Sequence, residues 1–478
     1  MPSTMTDRSY WTLSAPAEGR PALQDDLTTD VVVIGGGIVG LCTAHELVLA
    51  GRTVVLLEAD RIAQGVTGST TGKLTALHGL TYARLRDTHG KDAAELYALS
   101  QQEALRQVAD LCAELGIDGE LERAPAFTYV TDARRAEEVR AEATAAREAG
   151  LEASYVTETD LPFPVAAAVR VEDQFLFHPR KFLLGIAEDI LARGGAIHEH
   201  TRVTRVRELA DCRLTTDTGA TVHARDVVVA TNYPVTLHAS VMARLSVLRE
   251  LVVAAPVDAA KAPSGMYLTP EDRTRSVRTA PYGEGRRLLI VTGEAFEPGA
   301  GHVEERYGRL VSWACEHLPG FADAETGYRW AAQDVRSGDH LPYVGHEHPD
   351  TQHVYVATGF GGWGMSNGVM AGRLLAAHIR GGPRPAWTDL FDPRRHLPLR
   401  DVPAVARAQA TVARHYVAGR SHLRCTHMGC ELGFNDAEQT WECPCHGSRF
   451  AADGSVLQGP ATRPLETHDD EYQDGVPG

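Results

Sequence analysis

Residues 30–58, DVVVIGGGIVGLCTAHELVLAGRTVVLLE, decide the fold of this chain. Residues 30–34 predict a short buried strand, residues 41–50 a helix and residues 53–58 a second strand. Gly51 ends the helix before the second strand begins. This order is that of a βαβ unit, so the chain is predicted to have an α/β fold.

The glycine spacing inside this unit predicts a dinucleotide site. Gly35 allows the tight turn, Gly37 lets the backbone approach a pyrophosphate, and Gly40 lets helix and strand pack closely. The helix N-terminus supplies free N–H groups to phosphates. Glu58, at the end of the second strand, is placed to accept hydrogen bonds from ribose hydroxyls. The structural alternative is a bare glycine turn in an α/β sheet.

Length and charge limit what else the protein does. The 478 residues suggest two to three units, and 43% hydrophobic with 23% charged residues is a globular balance. Lys+Arg number 47 and Asp+Glu 63, which gives a net charge of -16. A chain this acidic is a poor candidate for binding nucleic acid or an anionic membrane. Without a membrane span or a signal-peptide pattern, it is expected in the cytoplasm.

Two further stretches are rich in small residues. The first is GVTGSTTGK at residues 65–73. The second, GFGGWG at residues 359–364, follows a predicted buried strand and precedes a predicted helix. Together with the first glycine motif they make residues 28–385 similar to the D-amino-acid-oxidase-like flavoproteins, which include glycine and sarcosine oxidases. The resemblance implies FAD, with NAD as the minority alternative.

The resemblance also implies a Rossmann-like FAD-binding domain interleaved with an antiparallel β substrate domain. The FAD-binding segments are expected at about 28–80, 195–235 and 335–382, and the substrate segments at about 120–165 and 240–330. Residues 386–400 are expected to form a linker, and residues 401–478 a second domain.

The same resemblance implies the residues at the flavin. The second small-residue stretch passes the isoalloxazine ring and the late turn runs by its pyrimidine end. The implied cofactor-binding residues are Gly35, Gly37, Gly40, Glu58, Thr67, Ser69, Thr70, Thr71, Lys73, Gly359, Gly361, Gly362, Trp363 and Gly364. Lys73 is expected to supply a cation or a hydrogen-bond donor, with a solvated lysine as the alternative. His78 has a structural and a functional interpretation, and nothing specifically supports a histidyl–flavin bond.

Candidate catalytic residues are Lys73, Arg278, Tyr282 and His340. Arg278 and Tyr282 lie just before a predicted strand of the substrate region, where either could bind a carboxylate. His340 belongs to a loop, residues 334–345, that resembles the approach to the late FAD strand. Amine oxidation itself needs little acid–base help if the neutral amine enters the site.

A Cys/His cluster near the C-terminus predicts a metal centre. Cys425-Thr-His427 and Cys443-Pro-Cys-His446 place two Cys and two His in paired loops, a set that could bind zinc. With Cys430 and Cys445 added, the pattern resembles the double motif of the Rieske family. That resemblance implies a [2Fe–2S] cluster with Cys425 and Cys443 on one iron and His427 and His446 on the other.

The Rieske resemblance carries three further expectations. It implies a disulfide between Cys430 and Cys445. Ser448 matches a hydroxyl that donates to cluster sulfur, whereas Phe450 stands where high-potential members have tyrosine, so an intermediate potential is expected. Only about 25 mostly helix-like residues separate the linker from Cys425, so the Rieske β domain is expected to be shortened.

Both resemblances together predict an FAD-dependent oxidoreductase that oxidises a small amine or amino acid by hydride transfer. Electrons would pass to the Rieske cluster and then to an external acceptor, which could be ferredoxin-like, a quinone or O2. Three alternatives stay open: an O2-using flavin oxidase with a structural or vestigial Rieske module, electron flow inward from a reductant to FAD, and a non-enzymatic electron-transfer protein.

Overall fold

The computed structural model describes residues 2, 4–236, 239–397, 401–417 and 423–466. Its helices are α1 Tyr10–Ser14, α2 Ile38–Leu49, α3 Gly65–Gly68, α4 Thr81–His89, α5 Lys91–Glu114, α6 Ala136–Glu148, α7 Pro179–Ala192, α8 Ala239–Met242, α9 Val303–His317, α10 Gly364–Arg380, α11 Thr388–Phe391 and α12 Val402–Val417. Its strands are β1 Thr4–Thr6, β2 Leu27–Ile34, β3 Val54–Leu57, β4 Lys73–Leu74, β5 Glu122–Val130, β6 Ala153–Val156, β7 Ala167–Leu176, β8 Ala196–His198, β9 Val203–Glu208, β10 Cys212–Thr216, β11 Thr221–Val229, β12 Leu245–Asp258, β13 Met266–Leu268, β14 Arg275–Pro281, β15 Arg286–Phe296, β16 Thr326–Ser337, β17 Tyr343–His346, β18 Val354–Thr358, β19 Gly433–Asn435, β20 Thr440–Glu442, β21 Arg449–Phe450 and β22 Val456–Gln458.

The first sheet has eight strands in the order β17-β18-β11-β2-β3-β8, with β10 joined to β11 and β9 to β10. Strands β18, β11, β2, β3 and β8 run parallel. Val31 and Val33 of β2 pack with the helices of the main core, whereas Val32 and Ile34 pack with residues of β9, β10 and β11 on the other face. A continuous apolar run is typical of a strand that is buried on both faces. Helices α2 and α10 pack together, and their apolar faces share the main hydrophobic core. The sheet therefore joins segments far apart in sequence.

The second sheet has ten strands, in the order β1-β16-β12-β15-β14-β13-β5-β7-β4 with β6 beside β7. Its long central strands β12, β15 and β16 pair antiparallel. The chain alternates between the two sheets, so the α/β fold with an interleaved antiparallel β domain is confirmed.

A small third sheet, β19-β20-β21-β22, is antiparallel and lies at the C-terminal end. Helix α12 precedes it, and the described residues before Cys425 add no strand to it. The four cysteines pack with Trp441 and Phe450 in its core. The expected short β domain is confirmed.

The segment expected to be a linker contains helix α11, and its Trp387 and Phe391 are buried in the main core. This part of residues 386–400 is packed against the first domain. Among the described residues, no helix is long and apolar enough to cross a membrane.

Candidate functional site

The first glycine turn follows β2 and opens α2. Gly35 has φ +105°, and a Cβ there would lie 2.6 Å from the Ala230 carbonyl oxygen. A Cβ on Gly40 would lie 1.8 Å from the Gly35 carbonyl oxygen. Because no side chain fits at either position, the turn stays tight and helix and strand pack closely. Gly37 is the N-cap of α2 and has no side chain to fill the space in front of the helix, which leaves room for an anionic ligand there, while Thr67 Oγ1 accepts the Ile38 N–H at 3.2 Å.

Glu58 lies directly after β3 and faces the same turn. Its carboxylate accepts the backbone N–H groups of Gly36 at 2.7 Å and Asp60 at 2.9 Å. Burial raises the pKa of Glu58, and these two hydrogen bonds act in the opposite direction. The side chain is therefore fixed beside the glycine turn, at the position where a ribose is expected.

A cavity of about 710 Å³ begins at this turn and extends between the two large sheets. It brings together most of the predicted site residues, from all three small-residue stretches. Those that line it are Gly35, Gly37, Glu58, Thr67, Thr70, Thr71, Lys73, His340, Gly359, Gly361, Gly362, Trp363 and Gly364. His340 is exposed and lies on the solvent side of the cavity.

Four predicted residues lie outside this lining. Gly40 serves helix packing, and the Ser69 carbonyl accepts the Trp330 indole N–H at 2.8 Å. Arg278 is 1% exposed and donates to the Gly72 and Thr279 carbonyl oxygens. The Tyr282 hydroxyl is bonded to Tyr328 at 3.1 Å in an aromatic cluster. Direct substrate binding by Arg278 or Tyr282 is not supported, because the Gly72 and Phe177 carbonyl groups cover Arg278 and Tyr282 lies in the aromatic cluster, both outside the cavity lining.

Lys73 is half-buried and follows Gly72, whose carbonyl oxygen accepts the Arg278 hydrogen bond. Its Nζ donates to the Ser276 hydroxyl on β14. Burial lowers the pKa of Lys73 to about 8, although the nearby Glu250 carboxylate raises it in part. Near neutral pH this side chain can therefore exist in either protonation state, which suits a group that contacts substrate or cofactor.

Three charged residues of the cavity wall were missed in the sequence. Arg336 on β16 pairs with Asp334 at 2.9 Å and with Glu250 of β12 at 3.4 Å. The Asp334 carboxylate also accepts the Gly362 N–H at 2.7 Å, which ties the late glycine turn to the wall. Burial raises the pKa of Glu250 and of Asp334. Asp334 and Arg336 belong to a stretch that was predicted to be a loop, and Glu250 lies in a predicted substrate segment, so no motif indicated them.

His78 packs under the late turn. Its ring stacks on Trp363 with centroids 4.4 Å apart and planes 19° apart. Nδ1 is bonded to the Tyr97 hydroxyl at 2.6 Å and Nε2 to the Thr75 carbonyl oxygen at 2.8 Å. Burial lowers the pKa of His78 to about 3. The ring is neutral, both nitrogens are engaged, and its geometry favours the structural interpretation.

The two Cys/His loops face each other at one end of the small sheet. Cys425 and Cys443 are buried, and their sulfur atoms are hydrogen-bonded to each other. The rings of His427 and His446 have centroids 5.1 Å apart. Both Nδ1 atoms are buried without a hydrogen-bond partner in the described part of the chain. Two thiols and two unpartnered imidazole nitrogens that converge in this way fit a [2Fe–2S] cluster of mixed ligation.

The remaining two cysteines of the loops form a disulfide, Cys430–Cys445. The Cys430, Cys443 and Cys445 sulfur atoms lie within 4.8 Å of one another. Since a disulfide removes two of these sulfurs as thiolate ligands, Cys443 is the one of the three available to a metal.

The C-terminal module contributes to the cavity itself. Arg449, Leu457, Gln458 and Gly459 belong to its lining. The His446 ring lies 5.2 Å from the ring of Tyr233, which follows β11 of the first sheet. Nothing in the sequence predicted this contact, because it joins residues more than 200 positions apart.

Comparison with protein families matches both parts of the chain. Residues 30–378 match the FAD dependent oxidoreductase family, and residues 409–469 match the Rieske [2Fe-2S] domain.

Individual relatives agree with these matches. The putative Rieske 2Fe-2S iron-sulfur protein YhfW of Bacillus subtilis strain 168 is 28% identical over 96% of this chain and 97% of its own length. The gamma-glutamylputrescine oxidoreductase of Escherichia coli strain K12 is 24% identical over 79% of this chain and 88% of its own. The crystal structure of glycine oxidase from Geobacillus kaustophilus superposes with a TM-score of 0.63 at 22% identity, covering 77% of this chain and 99% of that one.

Proposed function

Because the chain belongs to the FAD dependent oxidoreductase family and carries a Rieske [2Fe-2S] domain, with FAD and the cluster as its cofactors, we propose that it oxidises a small amine or amino acid by hydride transfer to FAD. The electrons then pass to the cluster and on to an external acceptor. One observation carries the proposal: a single cavity is lined both by the FAD segments and by residues of the C-terminal module.

The residues that would hold FAD are those of the glycine turns. Gly35, Gly37 and the N-terminus of α2 leave room for a pyrophosphate, and Glu58 faces the ribose position. The late turn at 359–364, held by Asp334, bounds the other end of the cavity. When bound there, FAD supplies the hydride acceptor.

The substrate would occupy the part of the cavity between Lys73 and β12. Lys73 and Glu250 offer one cation and one carboxylate, so an ammonium and an anionic group each find a partner. Raised pKa values of Glu250 and Asp334 suit groups that take up a proton from an ammonium substrate, which leaves the neutral amine that hydride transfer requires. A gamma-glutamylputrescine oxidoreductase and a glycine oxidase among the similar proteins support an amine or amino acid.

The cluster would be held by Cys425, Cys443, His427 and His446. Two neutral imidazoles in place of two thiolates raise the potential of such a cluster, which favours it as the recipient of electrons from a flavin.

The test starts with anaerobic purification and measurement of the flavin spectrum, iron, sulfide and the electron spin resonance of the reduced protein. A panel of amines and amino acids is then mixed with the protein without oxygen. We expect one of them to bleach the flavin and then to produce the signal of a reduced Rieske cluster.

The matched control is the double variant Cys425→Ser/Cys443→Ser, which removes two cluster ligands and leaves the FAD cavity intact. It is expected to keep flavin bleaching and to lose reduction of one-electron acceptors. Equal acceptor reduction or equal hydrogen peroxide production by both proteins would instead identify a flavin oxidase with a structural module. Failure of every amine to bleach the flavin would contradict the proposed direction of flow.

A further inference from the structure

Gln333, on β16, is a buried polar residue to which neither sequence analysis nor the proposed function assigned a role. It is 3% exposed and belongs to the cavity lining. Neither its amide oxygen nor its amide nitrogen has a hydrogen-bond partner among the described residues. Leaving both atoms of a buried amide unsatisfied is costly, so the side chain is suited to contact a ligand in the cavity.

The other side of the Gln333 amide touches the cluster loop. A Cβ placed on Gly447 would lie 2.4 Å from Gln333 Nε2 and 2.8 Å from Val247 Cγ1. Gly447 has φ +79° and directly follows the cluster histidine His446. The absence of a side chain at this position therefore lets the backbone of the loop approach the amide.

Buried ion pairs between β12 and the C-terminal module hold the loop close to the Gln333 amide. Arg249, the cross-strand partner of Gln333, is 1% exposed and pairs with Glu442 and Glu438 of the C-terminal module. Glu442 is itself fully buried and also accepts the Gly299 N–H at 3.0 Å. Because desolvated charges of this kind tolerate little separation, the loop is fixed against β16.

The second cluster histidine has a different environment. His427 is half-buried, and the adjacent Met428 is 50% exposed, on the side of the module turned to solvent. His446, by contrast, is 5% exposed and faces Tyr233 of the first domain. The two histidines therefore connect the cluster site to different surroundings.

We infer that Gln333 is a positioning residue that couples the flavin cavity to the cluster loop, so that electrons enter the cluster site on the His446 side and leave on the His427 side. The inference rests on the proposed function. Oxidation of the amine to an imine releases one hydride and one proton. The two electrons of the hydride would then pass to the cluster in two single transfers, and its proton would be released to solvent. An external one-electron carrier accepts each of them before the next transfer.

The experiment compares Gln333→Leu with the unmodified protein and with Met428→Leu, which changes only the outward face. The flavin is reduced by light without oxygen, so no substrate has to be known. Transfer to the cluster is followed by visible absorption and by freeze-quenched electron spin resonance. We expect Gln333→Leu to slow this transfer by about tenfold, the factor corresponding to one hydrogen bond from the amide to a group bound in the cavity. Met428→Leu should keep the original rate.

Unchanged transfer in Gln333→Leu, with flavin and iron contents intact, would overturn the inference. If Gln333→Leu loses its cluster, Gln333→Met, which keeps the length of the side chain and removes both polar atoms, takes its place, and original-rate transfer there would equally overturn the inference. A failure of the proposed function would give a different result. No amine would bleach the flavin, while light-driven electron transfer to the cluster would still depend on Gln333.

Discussion

The two Cys/His loops contain the same types of residue and have opposite surroundings. Each contains a cysteine and a histidine that are candidate cluster ligands, a disulfide cysteine and a glycine with positive φ, Gly429 at +77° in one and Gly447 at +79° in the other. Around Gly429 a Cβ would meet only Tyr416, at 3.9 Å, whereas around Gly447 it would collide with Gln333 and Val247. The loop at 425–430 faces outward and the loop at 443–448 faces the oxidoreductase domain.

This difference separates what a ligand motif determines from what its surroundings determine. The motif fixes which atoms converge, and it does so equally in both loops. The direction in which the site communicates depends on residues of β12 and β16, above all Arg249 and Gln333, which belong to another domain. A Rieske sequence motif alone therefore carries no information about which histidine faces a flavin.

The largest expected effect comes from the ion pair behind the inward loop. Arg249→Met leaves the buried Glu442 with only the more distant Arg449, at 3.3 Å, of the two cations that pair with it, and breaking a buried pair costs up to about 3–5 kcal/mol. Thermal unfolding monitored by circular dichroism and by cluster absorbance should show a strongly lowered midpoint. On the outward loop, Arg424→Ala removes an exposed donor to the Gly429 carbonyl oxygen and should cost under about 1 kcal/mol.

The double variant Arg249→Met/Glu442→Gln is the control for this prediction, because it also removes the Glu442 charge that loses its nearer cation in the single variant. It should recover part of the lost stability. Equal losses in Arg249→Met and Arg424→Ala would show that the inward loop is no better anchored than the outward one.

The matched glycines give the second prediction. Gly429→Ala is destabilised only because alanine must adopt a left-handed backbone conformation, which costs about 1–2 kcal/mol. Gly447→Ala loses the same amount of stability for the same reason. It loses a further ~1–3 kcal/mol because the new methyl group collides with Gln333 and Val247. Urea unfolding followed by tryptophan fluorescence measures both variants. A Gly447→Ala protein as stable as Gly429→Ala would mean that the inward loop is not held against β16.

Features formed by residues that are close together in the sequence could be predicted from it, whereas contacts between distant segments could not. The turn at Gly35–Gly40 and the ligand loops lie within short stretches, so spacing alone indicated dinucleotide and metal chemistry. The shortening of the Rieske β domain was also predictable, because the about 25 mostly helix-like residues before Cys425 cannot form further strands. The interleaving of two sheets came from a family resemblance, since no local pattern determines which distant strands pair.

The sequence did not determine which residues form the substrate side of the site, because that side is assembled from strands and loops that are distant in the chain. Arg278 and Glu250 lie on the same face of the ten-stranded sheet, yet the backbone at Gly72 and Phe177 covers Arg278 whereas Glu250 lines the cavity. Which part of a sheet face is covered depends on contacts between segments that are distant in the sequence. The role of Gln333 could not be predicted for the same reason, because Gly447, which lies close to its amide, belongs to another domain.

Lys73 provides a third prediction, of intermediate size, in a part of the cavity that neither loop touches. Because burial lowers its pKa to about 8, its cation is present below pH 8 and is lost as the pH rises through that value. Binding of acetate or benzoate in the cavity, followed by the flavin spectrum, should weaken up to about tenfold per pH unit above 8. Glu250 and Arg278 are the neighbouring charges.

Variants of this lysine complete the test. In Lys73→Met the binding should be weak and independent of pH, and in Lys73→Arg it should persist above pH 9 because guanidinium stays charged. Gly429→Ala, remote from the cavity, should reproduce the original profile. Binding that does not change between pH 7 and pH 9 in the original protein would remove Lys73 from anion binding.

The smallest expected effect concerns the potential of the cluster, where the two loops again differ. Ser448 of the inward loop is fully buried and its hydroxyl donates to the Cys425 sulfur, whereas Thr426 of the outward loop donates instead to the Arg463 carbonyl oxygen at 2.6 Å. A donor to sulfur stabilises the reduced cluster, so Ser448→Ala should lower the potential by about 40 mV, the equivalent of ~1 kcal/mol for one electron. Thr426→Ala should leave it unchanged in the same redox titration. Equal shifts in the two variants would mean that both loops tune the cluster, and the functional difference between them would then rest on position alone.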